Sequence, residues 1–235
     1  MESKKTSALS VLLFITFNVV FSQVEISPGV YFSDSENVRH ELKIDDRYLI
    51  ISIYATSPAK FIKTFGGFYK VENNGIKLSL EFNSDYKAVD LPELILPFTT
   101  KDNLLVVELE TPTSFLPTNT ADQALDGQWL FATRGPDEGQ ERRGDENPRK
   151  TLKFLMDGRF QWIAYNTETM EFFGTGGGAY SSTNGVYTEE IEYFSRDDSR
   201  VGAKLSFNYD LKEGDWHHTG KNSKGEPMYE IWARR

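Results

Sequence analysis

The sequence predicts an all-β protein in which an eight-stranded antiparallel barrel follows a smaller, duplicated β module. Apolar and polar residues alternate with a period of two, most clearly over residues 203–211, and turn-forming residues recur at strand-length intervals. Nowhere does an apolar stripe of helical period continue beyond two turns. Alternation of this kind is typical of antiparallel sheets that have one buried face and one hydrated face.

The composition excludes several classes of protein. The 235 residues include 26 Lys and Arg against 35 Asp and Glu, and a net charge of −9 argues against a nucleic-acid partner. The chain has no cysteine, which excludes disulfides, thiol nucleophiles and zinc sites of the cysteine type. With 26% charged and 14% aromatic residues, the chain has the composition of a folded protein rather than a disordered one.

Residues 1–22 are typical of a secretory signal. Lys4 and Lys5 form a positive start, residues 8–21 are mostly apolar, and we expect cleavage before Gln23. The alternative is a membrane anchor, but a spanning helix needs about 20 apolar residues and this stretch is shorter. We therefore expect an exported protein, periplasmic or extracellular, with no membrane span after cleavage.

Residues 111–120 are interpreted as a linker between two modules, because they contain two prolines, four threonines and no charge. They separate an N-terminal module over residues 23–110 from a C-terminal module over residues 121–235. The N-terminal module has no closing Trp-x-Arg motif and offers about seven strands. We expect it to be an incomplete barrel, a sandwich-like sheet, or a set of strands shared with the C-terminal half.

The two modules resemble diverged copies, since similar features follow one another in the same order. At a numbering offset of 112, the matched pairs are Asp45/Asp157, Arg47/Arg159, Tyr48/Phe160 and Ile51/Ile163. At an offset of 111 they are Gly66-Gly67/Gly177-Gly178, Tyr69/Tyr180, Leu80/Ile191 and Glu81-Phe82/Glu192-Tyr193. Chance matching of two alternating sequences is the alternative, and the shared order favours duplication.

Eight strands are predicted in the C-terminal module, after a short helical turn at residues 121–125. They cover residues 128–134, 150–156, 159–166, 173–182, 186–195, 202–211, 215–220 and 227–234. Eight antiparallel strands close into a barrel whose interior is filled by side chains or holds one small ligand. Closure also removes the exposed sheet edges that favour aggregation.

Several short motifs of this module are similar to those of a known family. They are Gly127-x-Trp129, Gly178-x-Tyr180, residues 187–193, Gly202 to Tyr209, Gly214-Asp215-Trp216 and Glu230-Ile231-Trp232-x-Arg234. Over the C-terminal half, the chain resembles the lipocalin-like, or calycin, barrels, and most closely a bacterial secreted lipocalin-like domain family of unassigned function. The resemblance implies that Gly127, Trp129, Trp232 and Arg234 close the base of the barrel, with Arg234 stacked on Trp129.

A ligand in this barrel is expected to be small and apolar or amphiphilic. The candidate lining residues are the apolar members of three strands, namely Phe154, Met156, Phe160, Trp162, Leu205, Phe207 and Tyr209. The alternative is that these side chains simply fill the barrel.

No metal, cofactor or catalytic site is expected. His217 and His218 are consecutive strand residues, so they point to opposite faces and cannot readily chelate one ion. The glycines of residues 174–178 lack the Lys-Ser/Thr ending and the helix of a phosphate loop. The carboxylates Glu189, Glu190 and Glu192 belong to a half-hydrated strand with no accompanying nucleophile.

The longest charged connection, residues 135–150, is either a lid over the barrel mouth or a solvated loop. Its arginines, Arg142, Arg143 and Arg149, are candidates for contact with an anionic head group.

The sequence therefore favours an exported, non-enzymatic protein that binds a small apolar or amphiphilic molecule. One alternative is an envelope protein-interaction module with a filled barrel. The other is a calycin-type enzyme, which requires several polar groups with perturbed pKa values inside the barrel. Tyr165, Glu192 and His218 are the residues to inspect for that enzyme.

Overall fold

Two closed barrels of eight antiparallel strands make up most of the chain. The computed structural model describes residues 26–73, 75–119, 121–222 and 224–235. The predicted secretory signal, residues 1–22, lies outside the described residues.

The first barrel contains strands β1 to β8 and one short helix, α1, at Tyr86–Val89. The strands are β1 Gly29–Ser35, β2 Val38–Ile44, β3 Tyr48–Thr56, β4 Ala59–Glu72, β5 Gly75–Asn83, β6 Glu93–Lys101, β7 Leu104–Glu108 and β8 Pro112–Pro117. Each strand pairs with the next, and β8 returns to β1, where Tyr31 faces Pro117.

The second barrel contains strands β9 to β16 and a 3-10 turn at Asp198–Arg200. The strands are β9 Gly127–Arg134, β10 Arg149–Met156, β11 Arg159–Asn166, β12 Phe172–Thr183, β13 Val186–Phe194, β14 Lys204–Lys212, β15 Asp215–Lys221 and β16 Pro227–Arg234. Strand β16 closes the barrel against β9, where Arg234 faces Trp129. The prediction of an all-β chain with a C-terminal eight-stranded barrel is confirmed.

Strand β8 corrects our interpretation of the N-terminal half. We expected a smaller module over residues 23–110 and a linker over residues 111–120, but Pro112–Pro117 is the strand that closes an eight-stranded barrel. Thr113 and Phe115 of this strand are buried, and its two prolines lie at its two ends. Proline is tolerated at strand ends, so proline content was a poor guide here.

The two barrels share one structural frame. Strand pairing shifts register beside Gly67 in the first barrel and beside Gly178 in the second, which are positions matched by the offset of 111. A Cβ on Gly67 would lie 2.0 Å from the carbonyl oxygen of Ser79, and a Cβ on Gly178 would lie 2.0 Å from that of Glu190. Each bulge therefore requires glycine, and the matching bulges support duplication of one barrel.

The strand pairing also corrects the offset of 112 that we used to match β3 with β11. Leu49 pairs with Gly67 and Phe160 pairs with Gly178, so the offset remains 111 along β3 and β11. Our match of Tyr48 with Phe160 joined opposite faces, because Tyr48 packs between the barrels and Phe160 packs inside the second. A slip of one residue exchanges the two faces of a strand.

Three buried clusters hold the chain together. The interior of the first barrel is mostly aliphatic and includes Leu42, Ile44, Leu49, Ile51, Leu78, Leu105, Val107 and Phe115. The interior of the second is mostly aromatic and includes Trp129, Phe160, Tyr180, Tyr187, Trp216 and Trp232. The third cluster lies between the barrels and contains Tyr48, Ile50, Phe82, Leu130, Leu152, Phe154, Ile163 and Tyr165.

Polar contacts between the barrels follow an approximate two-fold arrangement. Tyr54 of the first barrel donates a hydrogen bond to Glu192 of the second at 3.2 Å. In the reciprocal contact, Tyr165 of the second barrel donates to Glu81 of the first at 2.8 Å. The offset of 111 matches the two tyrosines with each other, and it also matches the two glutamates. The barrels thus contact each other through equivalent surfaces, as the subunits of a two-fold dimer do.

Arg159 is the main charged residue of this interface. Its guanidinium lies 3.0 Å from Glu41 and 2.8 Å from Glu192, and Lys43 lies 2.5 Å from Glu41. Burial alone would raise the pKa of Glu41, but Arg159 and Lys43 lower it to about 2. These buried charges are paired with one another across the interface and join the two barrels.

Candidate functional site

The motif residues form the floor of the second barrel. The guanidinium carbon of Arg234 lies 3.9 Å from the ring centroid of Trp129, which is the contact that the resemblance implies. Trp129 donates its indole N–H to the carbonyl of Leu125 at 2.8 Å, and Trp232 belongs to the same cluster. Gly127 has φ +122, and a Cβ there would lie 2.0 Å from Nη1 of Arg234. A side chain at position 127 would therefore displace the tip of Arg234 from its place on Trp129.

Five of the predicted lining residues pack against the inner cluster, namely Phe160, Trp162, Leu205, Phe207 and Tyr209. Phe160 is fully buried, whereas the other four are only partly buried. Solvent therefore reaches part of the inner wall of this barrel. We refer to the four partly buried side chains as the inner wall residues. They are Trp162, Leu205, Phe207 and Tyr209.

Phe154 and Met156 do not line the barrel, and our expectation for them was wrong. Both pack in the cluster between the two barrels. The first barrel covers the outer face of β10, so the strand is buried on both faces. Its apolar outer face shows the clearer alternation in the sequence, while its inner face carries Lys153, which is 5% exposed.

Lys153 and Glu189 form an ion pair inside the second barrel. The Lys153 ammonium lies 3.1 Å from a carboxylate oxygen of Glu189, and the Tyr187 hydroxyl donates to the same oxygen at 2.7 Å. The ammonium also lies 4.8 Å from the ring centroids of Tyr187 and Trp216, and 5.1 Å from that of Trp232. The ammonium is thus held among aromatic faces, and the carboxylate is held by the ammonium and the Tyr187 hydroxyl.

His218 and Glu230 form a second pair on neighbouring strands. Nδ1 of His218 lies 3.6 Å from Glu230, whose carboxylate also accepts a hydrogen bond from the Trp232 indole at 3.3 Å. The imidazole packs edge-on against Phe207, with the ring centroids 4.5 Å apart. His218 is 2% exposed, and within the described residues neither of its ring nitrogens has a partner that meets hydrogen-bond geometry.

The first barrel places uncharged side chains at the same four positions. The equivalent pairs are Leu42/Lys153, Leu78/Glu189, Val107/His218 and Thr113/Glu230. The three aliphatic residues are part of the first interior, and Thr113 is buried. The first barrel therefore closes around neutral side chains with the same strand pairing, and the fold does not require these ionisable groups. We call Lys153, Glu189, His218 and Glu230 the inner polar cluster.

The inner polar cluster carries an excess of negative charge. Burial, and then the charge of Lys153, lowers the pKa of His218, so the imidazole is neutral at neutral pH. Burial alone would raise the pKa of Glu230, but His218 and Lys153 lower it, so this carboxylate is ionised. Two carboxylates then face one ammonium, and the cluster has a net charge of about −1.

Sequence reasoning did not place Lys153, Glu189 and Glu230 inside the barrel. The signal was available in the duplication, because an offset of 111 matches Lys153 and Glu189 with leucines. We had matched β3 with β11 at a numbering offset of 112, and this obscured the match of the two charged residues with leucines.

The three residues named for an enzyme do not converge. Tyr165 donates to Glu81 and Glu192 binds Arg159, and both contacts lie between the barrels. His218 lies inside the second barrel against Phe207 and Glu230. The groups that do converge with His218 are those of the inner polar cluster.

The charged connection between β9 and β10 is tied to the floor end of the barrel. Arg142 pairs with Asp215 at 2.6 Å, and Asp145 pairs with Arg235 at 3.0 Å. Asp215 begins β15 and Arg235 follows β16, so both anchors lie near the floor. Arg143 and Arg149 lie over the rings of Phe131 and Phe173, at 5.6 and 4.2 Å from the centroids, and these are their cation–aromatic contacts.

The base of the first barrel is built differently. Tyr31 and Pro117 occupy the positions that Trp129 and Arg234 hold in the second barrel. A cavity of about 540 Å³ opens there. Its lining includes Ile26, Val30, Tyr31, Leu104, Leu105, Pro117 and Asp157. Asp157 comes from the second barrel and accepts the backbone N–H of Val30, so this lining is partly structural.

No family model and no curated protein matches the chain. Within the part of the chain that the structure covers, no helix has the length and apolar character needed to cross a bilayer. In the same described ranges, no three His, Asp or Glu side chains are grouped so that they could hold a metal ion. The inner polar cluster is therefore interpreted from its own chemistry.

Proposed function

We propose that the protein is an exported, non-enzymatic binding protein whose second barrel takes a small apolar or amphiphilic molecule. Kinship with the lipocalin-like family and export through residues 1–22 are parts of this proposal. The observation that carries it is the contrast between the two interiors. Ionisable groups occur inside the second barrel at positions where the first barrel has leucine, leucine, valine and threonine.

Burial of charge is costly, and hydrophobic replacements of buried ion pairs are often neutral or stabilising. A chain that keeps such groups in one of two similar barrels therefore gains something other than stability from them. The inner wall residues lie beside the cluster and are partly open to solvent. An apolar body against the inner wall and a polar end at the inner polar cluster fit this arrangement.

A protein-interaction module is the rival interpretation, and the surface favours it less. The large apolar side chains that are exposed come from both barrels and from six different segments, namely Ile62, Leu91, Ile95, Leu116, Val186 and Leu211. Single exposed apolar residues are normal on a soluble protein. The binding proposal uses buried groups that an interaction module does not need.

Acid–base catalysis is a second candidate, favoured by one observation. Within the described residues, Nδ1 of His218 lies 3.6 Å from Glu230 and neither ring nitrogen has a hydrogen-bond partner. A neutral imidazole with a free ring nitrogen beside a carboxylate has the chemistry of a general base. Hydrolysis of p-nitrophenyl acetate by the full chain, abolished in His218→Gln and retained in His217→Gln, would favour this candidate. Equal rates in both variants would remove it.

The test of binding uses the tryptophans as reporters. All four, Trp129, Trp162, Trp216 and Trp232, lie in the second barrel. Titration of the full chain with the neutral probe N-phenyl-1-naphthylamine should give saturable energy transfer from tryptophan, and 1-decanol should displace the probe. We expect dissociation constants of about micromolar, because association costs offset most of the gain from burial.

Two matched variants locate the probe. Leu205→Arg places a charge on the inner wall and should weaken binding about tenfold or more. Ile62→Arg makes the same change at an exposed position of the first barrel and should leave binding unchanged. Energy transfer that does not saturate, or that Leu205→Arg leaves intact, contradicts the proposed function.

A further inference from the structure

We propose that the second barrel selects organic cations, that is, molecules with an apolar body and one positive charge that pairs with Glu230. This inference rests on the proposed function, because it names the ligand class of the same site. It follows from the charge, the accessibility and the aromatic lining of the barrel interior.

The first argument is the charge of the interior. Lys153 is already neutralised by Glu189 at 3.1 Å and is further held by three aromatic rings. The carboxylate of Glu230 has a neutral imidazole at 3.6 Å and one indole N–H at 3.3 Å as its close polar contacts. Because the two carboxylates of the cluster outnumber its one ammonium, the Glu230 carboxylate attracts a cation and repels an anion.

The second argument is accessibility. The side chain of Glu230 is 19% exposed, whereas that of Glu189 is 8% exposed and already binds Lys153 and Tyr187. Glu230 is therefore the carboxylate of the inner polar cluster that an entering ligand meets. Its neighbours are the rings of Trp232 and His218.

The third argument is the lining. Trp162, Phe207 and Tyr209 of the inner wall present aromatic rings, and Phe131 packs edge-on against Trp232 with the centroids 5.7 Å apart. The faces of aromatic rings carry partial negative charge and attract cations, most strongly where water is excluded. An aromatic wall beside an ionised carboxylate is therefore suited to a quaternary or protonated amine.

Two arginines lie near the same wall, and their positive charge disfavours a cationic ligand. Arg134 faces Glu230 across the pairing of β9 with β16, and Arg143 lies over Phe131. Both are exposed, and among the described residues Glu230 forms no ion pair with either. Charges in contact with water are screened over about 10 Å at ordinary ionic strength, so the buried carboxylate should decide the preference.

The experiment compares three ligands that share one ring and differ in charge. Benzyltrimethylammonium, benzyl alcohol and benzoate are titrated into the full chain at neutral pH, with tryptophan fluorescence as the readout. We expect the cation to bind about tenfold more tightly than benzyl alcohol, and benzoate to bind more weakly than either.

Glu230→Gln should remove the preference for the cation, so that benzyltrimethylammonium binds no more tightly than benzyl alcohol to this variant. The matched control is Glu190→Gln, a carboxylate on the outer face of β13 that pairs with Lys204 and is 49% exposed. The control should bind all three ligands as the unmodified chain does.

The outcomes separate this inference from the proposed function. If benzoate binds as tightly as the cation, or if Glu230→Gln keeps the cation preference, the inference is wrong while apolar binding stands. If none of the three ligands binds and N-phenyl-1-naphthylamine does not bind either, the proposed function itself fails.

Discussion

Lys153 of the second barrel stands at the strand position that Leu42 holds in the first. Leu42 is 1% exposed and Lys153 is 5% exposed, so both side chains are buried in a barrel interior. The ion-pair partner of Lys153 differs in the same way, because Glu189 stands at the strand position that Leu78 holds in the first barrel. Within one chain, the first barrel thus shows what the second would be without its charges.

Restoring the leucines of the first barrel should therefore not damage the fold. We expect Lys153→Leu combined with Glu189→Leu to leave the free energy of unfolding unchanged or to raise it by about 1–4 kcal/mol. Glu189→Leu alone should lower it by about 3–5 kcal/mol, because Lys153 is then buried without its partner. Urea unfolding followed by circular dichroism measures both. A double variant less stable than the single one would contradict the comparison of the two barrels.

Loss of Arg159 should separate the effects of buried and exposed ion pairs. Arg159→Gln removes one of the two cationic partners of Glu41, which is 0% exposed, and the partner of Glu192, and should lower the free energy of unfolding by about 3 kcal/mol. Arg142→Gln breaks pairs with the partly exposed Asp137 and Asp215 and should cost less than about 1 kcal/mol. Equal losses in the two variants would mean that the interface network does not hold the barrels together.

Stability should fall on acidification, and His218 should contribute to that fall. Burial lowers its pKa below the ordinary 6.5, so the folded state binds this proton less readily than the unfolded state. The contribution is therefore fully present above about pH 6.5 and is lost progressively as the pH falls toward the folded-state pKa.

Comparison of two histidine variants isolates this effect. His218→Gln should flatten the dependence of unfolding free energy on pH between about pH 7 and 5. Some dependence should remain, because burial also lowers the pKa of His40. His217→Gln, whose imidazole points to the other face and contacts Tyr229 at 2.7 Å, should keep the slope of the unmodified chain. Identical slopes in both variants would exclude a buried, neutral His218.

Gly127 should tolerate substitution poorly, because its φ of +122 is strained for other residues and because a Cβ there would meet Arg234. A Cβ there lies 2.0 Å from Nη1 of Arg234, so Gly127→Ala must displace the guanidinium from the Trp129 ring. We expect a loss of about 1–3 kcal/mol and a changed tryptophan emission spectrum. Gly202→Ala is the control, since Gly202 also has positive φ (+85) but no neighbour within 4 Å. A comparable loss in the control would assign the effect to backbone strain alone.

Much of the fold could be predicted from local patterns. The predicted strands of the second barrel differ from the observed ones by at most two residues at either end, because period-two alternation and turn residues are local features. The floor contact of Trp129 with Arg234 was implied by the resemblance to the lipocalin-like barrels. The lining of Phe160, Trp162 and β14 was also anticipated, since these strands have one buried face directed at one core.

The sequence by itself determined that the chain is all-β and where the strands of the second barrel begin and end, and it favoured a duplication over chance matching. Only the tertiary structure decided that β8 closes the first barrel and that Phe154 faces that barrel while Lys153 faces inward. Alternation distinguishes the two faces of a strand, but it does not say what covers each one when both are buried. That depends on contacts between residues far apart in the chain, such as Arg159 with Glu41.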